Sequence, residues 1–146
     1  MAVRFFSALG LFSTIVAFLI FLISYASFPE DVLVYVNNLG EPASYLSKDT
    51  MFYLLVAFLI ITNAAFIGLK SIIRKNDLTL ENTEAGVHVS QIFFNLFFAS
   101  SVYFINILNS RENFDYSNFG YMIYVTGILL LLAIVFTLIS GFVLKK

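Results

Sequence analysis

The stretch Phe5–Tyr25 reads FFSALGLFSTIVAFLIFLISY and holds no Asp, Glu, Lys or Arg. At 1.5 Å of rise per residue, about 20 mainly apolar residues cross the roughly 30 Å of hydrocarbon in a bilayer. This stretch is long enough to span. Met51–Leu69, Val89–Asn109 and Phe119–Leu144 have the same character, the last being long enough to require tilt. One charge at mid-span costs about 2.5–3.5 kcal/mol on insertion scales, so uncharged runs of this length are themselves a signal. Composition agrees. Of 146 residues, 60% are hydrophobic and 12% charged, with 18 Phe and 8 Tyr. A soluble domain of this size buries only about 60–70% of its unfolded surface and has nowhere to hide so much apolar area. A soluble globular enzyme and a disordered chain are both excluded. The chain has no Cys, which excludes disulfides, thiolate metal sites and cysteine nucleophiles, and its one His excludes a bis-histidine haem. A net charge of −1 argues against nucleic acid as a partner.

The fold predicted is an all-α integral membrane protein, a four-transmembrane-helix bundle, because backbone polar groups in lipid must be satisfied within each helix. It forms a single membrane domain over 1–146. Its connections are an outer loop at 26–50, a loop at 70–88 and a short outer loop at 110–118. Arg4, Lys70, Arg74, Lys75, Lys145 and Lys146 flank one end of the spans, against only Lys48 and Arg111 at the other. The positive-inside rule then places both termini and the middle loop in the cytoplasm of a multi-pass protein of the cytoplasmic membrane. Six of the nine carboxylates (Glu30, Asp31, Glu41, Asp49, Glu112 and Asp115) fall in the outer loops. Arg4 and the Ser24-Tyr25-Ala26 tripeptide would suit a cleaved signal peptide. The apolar run of about 20 residues exceeds the 7–15 or so of a signal h-region, so the first span reads as retained.

The outer loop is the most patterned stretch. Pro29 ends the first helix, since proline bars helical geometry at the residue before it. Val32-Leu33-Val34-Tyr35-Val36 is β-branched or aromatic at four of five positions, which predicts an extended segment. Asn37-Asn38-Leu39-Gly40 is turn chemistry, and Asp49 or Thr50 supplies an N-cap for the second span. Helix connections usually take about 2–8 residues, so a patterned loop three times that length points to recognition, or to a cap over the outer mouth.

Along this loop the chain resembles the small bacterial inner-membrane proteins that carry the domain of unknown function 1648, relatives of the immunity protein against the sporulation-delaying toxin. Pro29, Glu30, Val32, Asn37, Gly40, Glu41, Pro42, Tyr45, Ser47 and Lys48 fall in order on the pattern of that family. Leu33 stands where the family has Pro, and Tyr35 where it has His. The likeness covers about 25 residues and a similar placing of spans, and it is nearly silent on activity. Tyr35 retains a hydrogen-bonding or stacking role but not the charge switch of a histidine.

Inside the spans, Gln91, Asn95 and Asn106 lie near one face of the third, and Asn63 sits beside Ala64, Ala65 and Gly68 on the second. Unpaired amides in hydrocarbon cost several kcal/mol, so these should point inward and bond across the bundle. They read as interhelical glue or as the lining of a polar cavity, with Gln91 too near the cytoplasmic end for a deep site. Ser13/Ala17, Ala64/Gly68 and Ala133/Thr137/Gly141 are close-packing candidates, within one chain or between copies. Phe93, Phe94, Phe97 and Phe98 read as lipid-facing or core, and Tyr116, Tyr121 and Tyr124 as an aromatic belt. His88 reads as an interfacial side chain. Lys70, Arg74 and Lys75 read as snorkelling toward lipid phosphates, and Asp77–Gly86 as a solvated connection.

The function expected is non-enzymatic: a small integral membrane protein with an extracytoplasmic binding loop, in a sensing, immunity or accessory-subunit role. Tyr35, Asn37, Glu41, Tyr45 and Lys48 would form the contact surface, shaped by Pro29, Gly40 and Pro42. The alternative is a small transporter or channel subunit lined by Asn63, Asn95 and Asn106. It ranks lower because coupled transport normally uses an ionisable group inside the membrane. No metal site or cofactor is implied. The partners are the lipid bilayer and either another protein or a second copy of the chain.

Overall fold

The computed structural model describes residues 2–37, 41–75, 81–110 and 116–143. Gly40, Arg111, Glu112, Asp115, Lys145 and Lys146 lie outside the described residues. The elements are α1 (Ala2–Ser27), β1 (Asp31–Val36), β2 (Pro42–Ser47), α2 (Lys48–Lys75), α3 (Glu81–Asn109) and α4 (Tyr116–Val143). All four helices are long and apolar enough to cross a membrane. At 26 to 29 residues each they run to about 40 Å, so their ends outreach the hydrocarbon or the helices tilt.

Two boundaries differ from the sequence reading. The connection read at 70–88 is helical over most of its length, since α2 continues to Lys75 and α3 begins at Glu81. Hydropathy misses these turns because they are polar. They are nevertheless packed: Thr83, Gly86, Val87 and His88 are buried, and Arg74 pairs with Glu84 across the two helices. At the other end, α2 starts at Lys48, and its cap is Ser47 rather than Asp49 or Thr50. The Ser47 hydroxyl accepts from the Thr50 backbone N–H at 3.3 Å and donates to the Thr50 hydroxyl at 2.7 Å.

The bundle is organised on α3. In its spanning window 44% of residues are buried, against 6% for α4. Its first turns meet the start of α1 and the end of α2, as Gln91 bonds to Thr14 and to Lys70 show. Its last turn meets the end of α1 through Asn106 and Ser27. Thus α1 runs parallel to α3. Contacts of Gly86 and Ser90 with Thr137, and of Phe97 with Gly127, make α4 antiparallel. Among the described elements α4 packs on α3 alone.

Between the polar ends lies an apolar core of Ala17, Phe21, Leu59, Phe94, Phe98, Ala99 and Val102. Phe21 is fully buried and sits 5.6 Å from the Phe52 ring and 6.5 Å from Phe98. Phe94 and Phe98 therefore resolve as core, whereas Tyr121 and Tyr124 are exposed. β1 and β2 form an antiparallel hairpin over the end that carries the α1 C-terminus, with Val32 opposite Leu46 and Leu33 opposite Tyr45. Val32 is fully buried, and Val34 and Leu46 pack beside it on the core.

Small residues divide sharply. Ala17 and Ala133 are buried, whereas Ala64 and Gly68 face away from the protein. A Cβ at Gly86 would lie 2.7 Å from Thr137 Oγ1, while one at Gly68 would meet nothing within 4 Å. G86A is expected to cost about 1–3 kcal/mol of stability through overpacking, with partial recovery in G86A/T137A. G68A should gain up to about 1 kcal/mol from helix propensity. Denaturant titration in detergent micelles checks both, and equal behaviour of the two variants would refute the α3–α4 contact.

Candidate functional site

Two polar constellations sit at opposite ends of α3. At the hairpin end, Asn109 reads the edge of β1 as a neighbouring strand would. The Leu33 N–H donates to Asn109 Oδ1 at 2.8 Å, and Asn109 Nδ2 donates to the Leu33 carbonyl at 2.9 Å. A primary amide carries one acceptor and two donors, so it can satisfy both backbone groups of one residue at once. Asn109 Nδ2 also reaches the Ile105 carbonyl at 2.7 Å, which fixes its rotamer on the last turn of α3. The hairpin is thereby tied to the helix.

The residues expected to form a contact surface divide here. Asn37 and Glu41 pair with each other: the Glu41 N–H donates to Asn37 Oδ1 at 2.9 Å, and Asn37 Nδ2 donates to Glu41 Oε2 at 3.0 Å. Lys48 is turned inward. Its Nζ donates to the Phe28 carbonyl at 2.8 Å, just beyond α1, and lies 5.1 Å from the centre of the Tyr25 ring. The Lys48 backbone N–H bonds the Glu30 carbonyl at 2.8 Å. Pro29 follows the end of α1, and Pro42 opens β2 opposite Val36. Tyr35 and Tyr45 remain displayed, 56% and 54% exposed. Of the five, these two are the outward-facing large side chains.

At the other end, side chains from three helices form a closed amide cluster. Asn63 Nδ2 donates to Asn95 Oδ1 at 3.0 Å and to the Leu59 carbonyl at 3.0 Å. Gln91 Nε2 donates to Asn63 Oδ1 at 2.8 Å. Asn95 Nδ2 donates to Ser13 Oγ at 2.9 Å and Thr14 Oγ1 at 3.0 Å. Lys70 Nζ donates to Gln91 Oε1 at 2.8 Å and stands 3.4 Å from His88 Nδ1. Gln91 is thus 5% exposed and central to the cluster, not peripheral to it. Lys70 reaches into the bundle rather than outward, Arg74 is engaged by Glu84, and His88 is 2% exposed rather than interfacial.

Asn106 does not join. It accepts from Ser27 Oγ at 2.7 Å near the hairpin, about 16 Å along the α3 axis from Asn95, with buried Phe98, Ala99 and Val102 between. Asn63, Asn95 and Asn106 therefore do not line one continuous passage. Among the described residues no group of three or more His, Asp or Glu converges as a metal site.

Sequence reasoning misses Asn109 and Thr14 and places Lys70 and His88 at the interface rather than in the cluster. A helical signal was present for some of them. His88, Gln91 and Asn95 follow an i, i+3, i+7 spacing, and Lys70 lies two turns beyond Asn63 on the same face. Nothing in the sequence marks Asn109 as a strand partner. No protein-family model, curated protein or solved structure matches the chain.

N109L is expected to free the hairpin, costing about 1–3 kcal/mol because two strand-edge backbone groups lose their partner. Amide exchange at Leu33 should accelerate while exchange in the middle of α3 stays unchanged. N95L should destabilise the whole bundle more than N106L, because Asn95 serves three partners in the buried cluster.

Proposed function

We propose that this chain is a non-enzymatic, multi-pass protein of the cytoplasmic membrane whose hairpin recognises a protein partner on the outer side, in a sensing, immunity or accessory-subunit role. The observation that carries the reading is the display of Tyr35 and Tyr45 on a hairpin held in place by the Asn37–Glu41 pair, by Lys48 and by Asn109. Tyrosine brings a large, stiff, amphipathic contact at low entropic cost, which suits a recognition surface. Anchoring the hairpin to α3 and to the C-terminal end of α1 lowers the ordering cost of binding. The resemblance to the domain of unknown function 1648 points the same way, since Asn37, Glu41, Ser47 and Lys48, which carry it, build this hairpin. Orientation follows from the basic residues: Arg4, Lys70 and Arg74 gather at the end opposite the hairpin, which supports cytoplasmic termini.

The natural absence of Cys makes the orientation directly measurable. A membrane-impermeant maleimide should label A43C in intact cells and S71C only after the membrane is opened; the reverse pattern would invert the topology. For recognition, a photocrosslinking amino acid at Tyr35 or Tyr45 should give a discrete protein adduct in intact cells of the source organism, and one at lipid-facing Phe136 should not. An adduct at position 35 should disappear in the Y45A background without loss of membrane insertion. Absence of any adduct at both positions refutes the hairpin as the recognition element.

A further inference from the structure

At the end opposite the hairpin, a cavity of about 390 Å³ opens between α1, α2 and α3, lined by Ser7, Ile67, Lys70, Ser71, Arg74 and His88. Among the described residues two cations line it and no carboxylate does. Both cations are held from behind. Gln91 accepts from Lys70 at 2.8 Å, and Glu84 Oε1 accepts from Arg74 Nε at 2.8 Å. An ammonium has three N–H donors and a guanidinium five, so these bonds position the two groups without exhausting them. Behind them, His88 is 2% exposed, and its Nε2 is buried with no hydrogen-bond partner among the described residues; the nearest acidic oxygen, on Glu84, is 3.9 Å away. A buried polar nitrogen without a partner is uncommon in a folded protein and calls for an explanation. Glu84 offsets one of the two positive charges, so the described residues leave the cavity net positive.

The position narrows the ligand. Ser7 lies in the first turns of α1, and Lys70, Ser71 and Arg74 in the last turns of α2. Here the apolar run of each helix gives way to charge, at the depth where headgroups replace acyl chains. Lys and Arg flanked by hydroxyls form a donor set suited to phosphate oxygens, with the guanidinium supplying directed pairs and the ammonium a point charge.

We propose that this cavity binds a phosphate group, presented by an anionic lipid headgroup in the adjoining leaflet or as free phosphate. The site is separate from the hairpin and does not depend on what the hairpin recognises.

The test uses the full chain in detergent micelles. Native mass spectrometry compares retention of phosphatidylglycerol with that of phosphatidylcholine, and thermal unfolding compares millimolar inorganic phosphate with chloride at equal ionic strength. Preferential retention of phosphatidylglycerol without a phosphate effect assigns the lipid source, and stabilisation by phosphate without lipid preference assigns the free ion. In either case S71E, which puts a carboxylate at an exposed lining position, should weaken the interaction about fivefold, as should K70Q, since one basic charge at such a surface is worth about that factor. S7E, on α1, repeats the test from a different helix should S71E fail to insert. Equal retention of both lipids together with no phosphate effect overturns the proposal, as does undiminished binding in a folded S71E or S7E variant.

Discussion

A side-chain amide in hydrocarbon must find a partner, and in this protein the partners come from other helices. Asn95 is bound from α1 by Ser13 and Thr14 and from α2 by Asn63, and Gln91 is bound from α2 by Asn63 and Lys70. Lipid gives helices no hydrophobic reason to associate, because acyl chains are as apolar as leucine. Directional bonds and close packing therefore set the register of α1 and α2 on α3. Each interhelical hydrogen bond in a membrane averages only about 0.6 kcal/mol, so the cluster contributes through its number and its geometry. The α3–α4 contact has a different basis. It relies on the approach of Thr137 to Gly86, with the Thr137 hydroxyl also 3.2 Å from Ser90 Oγ.

The register fixed at one end of α3 places Asn109 at the other. Its amide meets Leu33 only because α3 stands at the right height beside the hairpin, and Val32, Val34 and Leu46 then close over the aromatic core. An isolated two-stranded hairpin is marginal in water, and packing against helices supplies what it lacks. The Asn109 amide also occupies part of the β1 edge, which would otherwise present unpaired backbone groups to other chains. The hairpin is in this sense a product of the bundle beneath it.

The spans were legible because lipid selects so strongly by composition: Phe5–Tyr25 and Phe119–Leu144 need little beyond counting. The extended character of Val32–Val36 was legible from β-branching. The limits of that reading are equally physical. Hydropathy averages over a window and so stopped α2 at Leu69 and began α3 at Val89, although Arg74, Glu84 and His88 extend both helices while facing one another. Lys70 was read as outward-facing because snorkelling is the usual fate of an edge lysine. Its inward turn depends on Gln91 from another helix, and no local rule contains that. Lys48 is assigned to a contact surface by its position in the patterned loop, whereas its place beside Tyr25 and the Phe28 carbonyl depends on how the hairpin leads into α2.

The distance between the two polar ends bears on what the molecule does. A conduit for solute or protons needs polar groups close enough for water to bridge successive ones, a few ångströms apart. Here the buried amides end at Asn95 and polar side chains of α3 resume at Ser100, Ser101 and Asn106, while Phe21, Phe94, Phe98 and Val102 fill the interior between. Opening a path through that layer means separating aromatic rings whose burial is a large share of the apolar core, at about 25 cal/mol for each Å² exposed to water. The amides at the lower end are meanwhile satisfied by one another and gain nothing from hydration. Such an arrangement favours two separate polar ends over a passage that joins them, and α1, α2 and α3 each contribute to both.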